Sequence, residues 1–308
     1  MADNDLMQMP NFLLIGAAKA GTTSLYTYLA QHPQIYMSPD KEPRFFALEG
    51  EQPSFGGITQ QINKSSINTL EAYAQLFEGV TDEVAIGEAS TIYLYSEKAV
   101  DRIQHYVPSA KLVAVLRQPA DRAFSSYVHL VRDGFETLSF EAGLAAESQR
   151  RAENWQPLWF YQDRGFYYAQ LKRYFDRFEP EQIRVYLYDD LLKDSQQICQ
   201  DLYQFLGADS TFTPNLARTN VSGIPKQRWL QNLFNRDNVL KSAVKPLLPK
   251  SVRRKISRGV QEKNLGQKPV MTADTRRQLT DVYRADILKL QDLIGRDLSG
   301  WLEDQPDG

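Results

Sequence analysis

The stretch Asn11–Leu29, NFLLIGAAKAGTTSLYTYL, decides how this chain is read. Phe12–Ile15 is a short apolar run of the kind that forms a buried strand. Gly16-Ala17-Ala18-Lys19-Ala20-Gly21 follows, with one lysine and otherwise nothing larger than a methyl group. Thr22, Thr23 and Ser24 then open a segment in which Leu25, Tyr28 and Leu29 fall at helical spacing. Strand, small-residue loop and helix N-terminus make a cradle where backbone N–H groups and the positive helix end converge on an anion, most commonly a phosphate.

The comparison with a nucleotide-triphosphate loop is informative because it fails. That loop needs G-x-x-x-x-G-K-[ST], its lysine reaching the outer phosphates and its hydroxyl holding magnesium. Gly16 and Gly21 have the right separation and Thr23 the right hydroxyl, but Thr22 stands at the lysine position. The lysine has moved three residues upstream, to Lys19. Such a cradle binds a phosphate ester without triphosphate–magnesium chemistry; the competing reading is a glycine-rich turn of another α/β protein.

Outward from this loop, strands alternate with helices. Ile35–Met37, Val84–Ile86, Lys111–Leu116 and Ile183–Tyr188 read as further strands. Helices are expected over Asn68–Phe77, Pro119–Leu130, Ser139–Arg151 (a solvated face), Ala169–Phe178, Ser195–Leu206 and Thr272–Leu293. Ser195 is a plausible N-cap, and Gly207 ends its helix. In the last helix Leu279, Val282, Tyr283, Ile287, Leu290 and Ile294 should face inward. This alternation predicts an α/β fold, a mostly parallel sheet flanked by helices with P-loop-like nucleotide-binding architecture. We expect one domain over 1–308, with its core at about 10–230 and a basic, helical extension over 231–308.

Composition narrows the classes. With 42% hydrophobic and 24% charged residues the chain is an ordinary globule. No run of about 18 apolar residues occurs, so no membrane span is expected. The opening MADNDLMQMP is acidic and polar, unlike a secretory leader. The single cysteine, Cys199, precludes an internal disulfide, fits a cytoplasmic, reducing compartment, and reads as a core residue. Three scattered histidines offer no zinc-like cluster; His32, before Pro33, reads as a helix-end residue. Residues 221–270 hold twelve Lys/Arg against two Asp/Glu, leaving −12 elsewhere to give −2 overall. That stretch lacks interleaved aromatics, so a solvated segment beside an anion pocket is favoured over nucleic-acid binding.

Several side chains invite a chemical role. Arg117 ends the Lys111–Leu116 strand, where a guanidinium favours direct anion binding over a magnesium-holding carboxylate. Ser125 lies along the next helix, and His129 four residues later shares its face. His129 either contacts a ligand, serves as a base, or satisfies a hydrogen bond in the packing. Lys41-Glu42-Pro43-Arg44-Phe45-Phe46 sets charges against two phenylalanines. From the pattern alone it is a surface cap with core aromatics. Glu88 is either a ligand at a strand end or a partner for the loop backbone. Trp155 and Trp159 either roof a cleft or form a satellite of the core.

PNFLLIGAAKAGTTSLYTYLAQHP (10–33), Arg117 with Ser125 (R-x7-S), and VYLYDDLLKDSQQICQDLYQFLG (185–207) together resemble the sulfotransferases that use 3′-phosphoadenosine-5′-phosphosulfate (PAPS). The resemblance is especially to the branch that contains the heparan-sulfate N- and 3-O-sulfotransferases and many bacterial relatives. The likeness covers roughly the first 230 residues. It implies that Lys19, Ala20, Gly21, Thr22, Thr23 and Ser24 hold the 5′-phosphosulfate, and that Arg117 and Ser125 grip the 3′-phosphate. Lys19 would also act in catalysis. K-E-x-x-F-F implies Glu42 as catalytic base, with Arg44 standing where the 3-O enzymes carry histidine. H-x-x-R-x-G, matched by His129, Arg132 and Gly134, makes His129 an alternative base. Ala89 replaces a lysine common in G-E-K-S-P. Asn220–Arg228 resembles the loop closing over adenosine 3′,5′-bisphosphate, with Ser222, Gly223, Lys226 and Arg228 as contacts. No metal is implied; the acceptor is a hydroxyl or amine of a small molecule or saccharide, and nucleic acid is not an expected partner. The alternatives are a P-loop-type nucleotide kinase and a non-catalytic nucleotide- or polyanion-binding module.

Overall fold

The computed structural model describes residues 7–56, 67–216 and 269–303. Its centre is a five-stranded sheet in the order β2-β3-β1-β4-β5: β1 Phe12–Gly16, β2 Ile35–Met37, β3 Ala85–Ala89, β4 Lys111–Leu116 and β5 Ile183–Leu187. Every neighbouring pair is parallel. Helices cover both faces, and β1 and β3 are buried at every position, so these strands carry apolar runs rather than alternation. The expected α/β class and all five strands are present.

β1 lies between β3 and β4. The chain leaves β1 for β2 and β3 on one side, then crosses to β4 and β5 on the other. This reversal of strand order opens a crevice beyond the carboxyl ends of β1 and β4, where open α/β sheets take their ligands. In β3, Gly87 is dictated by packing: a Cβ there would stand 2.2 Å from the Phe12 ring carbon Cζ.

Phe45 and Phe46 are fully buried as expected. Phe45 stacks on Tyr73 at 4.4 Å between ring centroids, and Phe46 meets Tyr93 edge-on at 5.5 Å. Cys199 is a core residue whose thiol burial pushes up to about 12. His32 is also core: Nδ1 accepts from Gln34 N–H at 3.0 Å, leaving Nε2–H to donate to the Asp209 carbonyl at 2.9 Å.

Four expectations need correction. The Ser139–Arg151 segment is two short helices, Phe140–Ala145 and Glu147–Ala152, and not simply a solvated face. Its Arg150 is buried against Glu136, Nη1 to Oε2 at 2.8 Å, and Glu147 accepts from the N–H groups of Gln162 and Asp163. The N-cap before the Ser195–Leu206 helix is Asp194, whose carboxylate accepts from Gln197 N–H at 2.9 Å, because Ser195 is already the first helical residue and its hydroxyl donates to the Leu191 carbonyl at 2.6 Å. Val84 precedes β3 and is exposed. In the Ala273–Ile294 helix Val282 faces solvent, while Leu279, Tyr283, Ile287 and Leu290 are buried on the opposite stripe.

That last helix docks on the core through polar ties as well. Tyr283 Oη donates to the Gln162 carbonyl at 2.7 Å, and Tyr168 N–H donates to Asp286 at 3.1 Å. Gln118, which follows Arg117, donates to the Trp301 carbonyl at 3.2 Å.

Candidate active site

The loop after β1 has the expected cradle form. Gly21 is the N-cap of the Thr22–Leu29 helix, at φ 91°, with no side-chain cap over the first turn. The N–H groups of Thr22 and Thr23 therefore have no side-chain cap, while Ser24 N–H donates to the Gly21 carbonyl at 3.0 Å. Glycine is needed twice over, since a Cβ would also stand 2.9 Å from Leu191 Cδ2 and 3.0 Å from Tyr188 Cδ2. Ala20 and Thr22 are buried, Ser24 is half-buried and Thr23 is exposed. Of these loop residues, Lys19 lines the adjoining cleft.

Lys19 adopts a left-handed backbone, φ 69°. Burial, reinforced by the positive charges of Arg132, Arg117 and Lys41 and opposed by Asp133, lowers its ammonium to about 8. At the end of β4, Arg117 Nη1 donates to the Lys19 carbonyl at 3.4 Å, and its guanidinium lies 4.7 Å from the Tyr188 ring centroid. Its own carbonyl accepts from Tyr167 Oη at 3.0 Å. Loop and strand end thus face one space, a cleft of about 570 Å³.

One wall of the cleft is a face of the Pro119–Arg132 helix. Asp121, Ser125 and His129 follow at four-residue steps, with Phe124, Val128 and Arg132 beside them. Met271, just before the N-cap of the C-terminal helix, and Arg276 in that helix's first turn also line the cleft. Among the described residues Arg132 pairs with Asp133 and Arg276 with Asp121, whereas Lys19 and Arg117 have no carboxylate within ion-pair distance. Two unpaired cations beside an uncapped helix start fit a phosphorylated anion. The sequence-predicted Lys19, Arg117, Ser125 and His129 are brought together.

His129 is held by its neighbours. Arg132 Nη2 lies 2.7 Å from Nδ1, and Asp133 Oδ2 is 3.6 Å from the same nitrogen. Burial first, and then the charge of Lys19, push its pKa down to about 4, so the ring is neutral near pH 7. A guanidinium can only donate. Nδ1 therefore accepts, and the proton sits on Nε2.

Glu42 does not line the cleft. It sits beyond the end of β3 with a left-handed backbone, φ 64°, its N–H bonded to the Ala89 carbonyl at 2.9 Å. Thr91 fixes its carboxylate, Oγ1 donating at 2.8 Å and N–H at 3.1 Å, with Lys41 Nζ at 3.4 Å. Arg44, also left-handed at φ 63°, has Nε 4.0 Å from Oε2.

Glu88 lies inside β3, 0% exposed, and accepts from Tyr73 Oη at 3.2 Å. Burial raises its carboxyl to about 7. It is an interior group and not a strand-end ligand. Trp159 is equally interior, 5.8 Å from Trp155 between ring centroids, and neither ring lines the cleft. Ser222, Gly223, Lys226 and Arg228 lie outside the described residues. Sequence reading missed Tyr188, Asp121 and Arg276. Asp121 was legible from its four-residue offset to Ser125, but Tyr188 and Arg276 arrive from distant segments and carry no local signal.

Comparison with known proteins identifies the family. A profile described as "Sulfotransferase family" matches residues 10–213. The chain is 36% identical to the crystal structure of a sulfotransferase from Alicyclobacillus acidocaldarius, over 96% of this chain and 100% of that one, with a TM-score of 0.77. It is 29% identical to human bifunctional heparan sulfate N-deacetylase/N-sulfotransferase 3, over 97% of this chain and 32% of the relative. It is 34% identical to the membrane-associated sulfotransferase kil1 of Dictyostelium discoideum, over 41% of this chain and 24% of the relative. The chain thus spans about a third or less of these curated relatives, while the likeness extends past residue 230 into the C-terminal helix. With the family profile covering the loop, both cation-bearing strand ends and the Pro119–Arg132 helix, this chain belongs to the sulfotransferase family.

Proposed function

We propose that the protein moves a sulfuryl group from PAPS to a hydroxyl or amine of a small-molecule or saccharide acceptor. The observation that carries this reading is the convergence of two anion grips, Lys19 and Arg117 with Ser125, on one cleft at the strand-order reversal. Family membership favours it over a nucleotide kinase. When bound, the donor supplies an activated sulfuryl group next to a phosphate leaving group.

The chain's own residues have distinct tasks in this reading. The Gly21–Ser24 backbone holds the 5′ end through helix N-terminal amides. Arg117 and Ser125 hold the 3′-phosphate, Arg through its planar fork. Lys19, already desolvated, neutralises charge that develops on the leaving oxygen; fixed electrostatics of this kind need no reorganisation during reaction. Glu42 takes the acceptor proton, and Thr91 and Lys41 hold its carboxylate in place. His129, with Nδ1 engaged by Arg132, offers Nε2–H as a donor to a donor or acceptor oxygen rather than a lone pair.

No described helix is long and apolar enough to cross a membrane. With one buried cysteine, a cytoplasmic site of action is part of the same proposal. Incubation with labelled PAPS and a panel of hydroxyl and amine acceptors tests the reading. A Kd for adenosine 3′,5′-bisphosphate weaker than about 1 mM overturns it. Tight bisphosphate binding with no transfer to any acceptor favours a non-catalytic binding module instead.

A further inference from the structure

Asp121 is out of place in an anion cleft. Its carboxylate lines the same space as Arg117 and Ser125, one helical turn before the serine. A second phosphorylated group lodged at Ser125 would meet that negative charge. The opposing charge comes from the C-terminal helix, where Arg276 Nη2 stands 2.5 Å from Asp121 Oδ1. The two side chains are 22% and 31% exposed, so the pair is partly desolvated and partly open to the cleft.

Arg276 occupies the opening turn of its helix, four residues after the N-cap Thr272. A cation there opposes the helix dipole, so local helix energetics do not account for it. Docking does not require it either. The same helix is already fixed by Tyr283, Asp286, its buried apolar stripe and the Gln118–Trp301 tie. A guanidinium has five donors, and one carboxylate oxygen engages only part of that fork.

We propose that Arg276 determines specificity for the 3′-phosphate: it neutralises Asp121 and presents its remaining donors to the phosphate held by Arg117 and Ser125. The proposal rests on the PAPS reading above. A nucleotide with only a 5′-phosphate does not engage this end of the cleft and is indifferent to the pair. The C-terminal helix thereby becomes part of the donor site.

Calorimetric titration of adenosine 3′,5′-bisphosphate and adenosine 5′-monophosphate into the full-length protein and its variants tests this. Arg276→Gln should weaken bisphosphate binding about 30-fold, the order expected for losing a charge-assisted hydrogen bond, and should leave monophosphate binding within about threefold. Asp121→Asn should bind bisphosphate at least as tightly as wild type. The double variant should recover about tenfold of the loss, because the unpaired carboxylate is gone. Equal weakening of both nucleotides, or no recovery in the double variant, overturns the proposal by showing a merely structural role. Wild-type affinity in Arg276→Gln overturns it alone, whereas wild-type protein that ignores the bisphosphate overturns the donor reading as well.

Discussion

Arg117 Nη1 lies 3.4 Å from the carbonyl oxygen of Lys19, which joins the end of β4 to the loop after β1. Two elements about a hundred residues apart in sequence thus share one wall of the cleft. The relationship follows from β1 and β4 being direct neighbours, Leu14 opposite Val113 and Gly16 opposite Ala114.

Lys19→Ala should lower kcat by about 10²–10³-fold, the usual effect of removing one preorganised electrostatic donor. Melting temperature should stay near wild type, since the ammonium makes no ion pair among the described residues. Steady-state kinetics with circular-dichroism melts check both; near-normal turnover removes Lys19 from the mechanism.

The pH dependence follows from the lowered ammonium. Lys19 carries its charge below about 8 and loses it as pH rises through that value. kcat/KM for the donor should therefore fall above pH 8, approaching about tenfold per pH unit. Lys19→Arg should move this limb beyond the measurable range, because a guanidinium stays charged. A profile that stays flat to pH 10 in the wild type contradicts the assignment.

The choice of base is open to a direct comparison. Glu42→Gln preserves size, keeps one acceptor oxygen for the Thr91 N–H and turns an NH2 toward its hydroxyl, and should cost about 10²–10⁴-fold in kcat. His129→Ala should act mainly through KM, with kcat changed about tenfold or less, the pattern of a binding contact rather than a proton acceptor. The reverse result, with Glu42→Gln active and His129→Ala dead, transfers the base role to His129.

Glu136 and Arg150 form a buried pair, 2% and 6% exposed, and Tyr161 Oη donates to the same carboxylate at 2.7 Å. Although burial works against it, hydrogen bonds from Arg150, Tyr161 and the Leu138 backbone hold the carboxyl below its usual range. Its stabilisation is present above the ordinary carboxyl pKa and is lost as pH falls through the depressed folded value. Glu136→Ala leaves Arg150 buried without its partner and should destabilise the fold by about 3–5 kcal/mol in urea unfolding at pH 7.

Much of the scaffold was legible because its signals are local. Phe12–Ile15 and Lys111–Leu116 announce buried parallel strands by unbroken apolar runs. Gly21 announces a left-handed cap, and Arg117 with Ser125 announces one strand–helix unit. What stayed hidden depends on contacts between distant segments. Nothing near Arg276 says that it meets Asp121. Nothing near Glu88 says that Tyr73 will roof it, and a charged run such as Glu147–Arg151 looks solvated until Glu136 and the Gln162–Asp163 turn supply partners. Helical periodicity misplaced Val282 for a related reason: a valine at a permissible step faces inward only where another element covers it.

The left-handed conformations of Lys19, Glu42 and Arg44 carry a lesson for anyone who sets out to harden this protein against heat. A side chain in that region is held against a local backbone preference of about 1–2 kcal/mol, and glycine escapes it. Screens that select on thermal tolerance alone should therefore favour glycine at positions 19 and 42, and the survivors should be sturdier, inert proteins. Under the roles proposed for Lys19 and Glu42, robustness and turnover pull in opposite directions at these positions, and only a selection that scores both keeps activity.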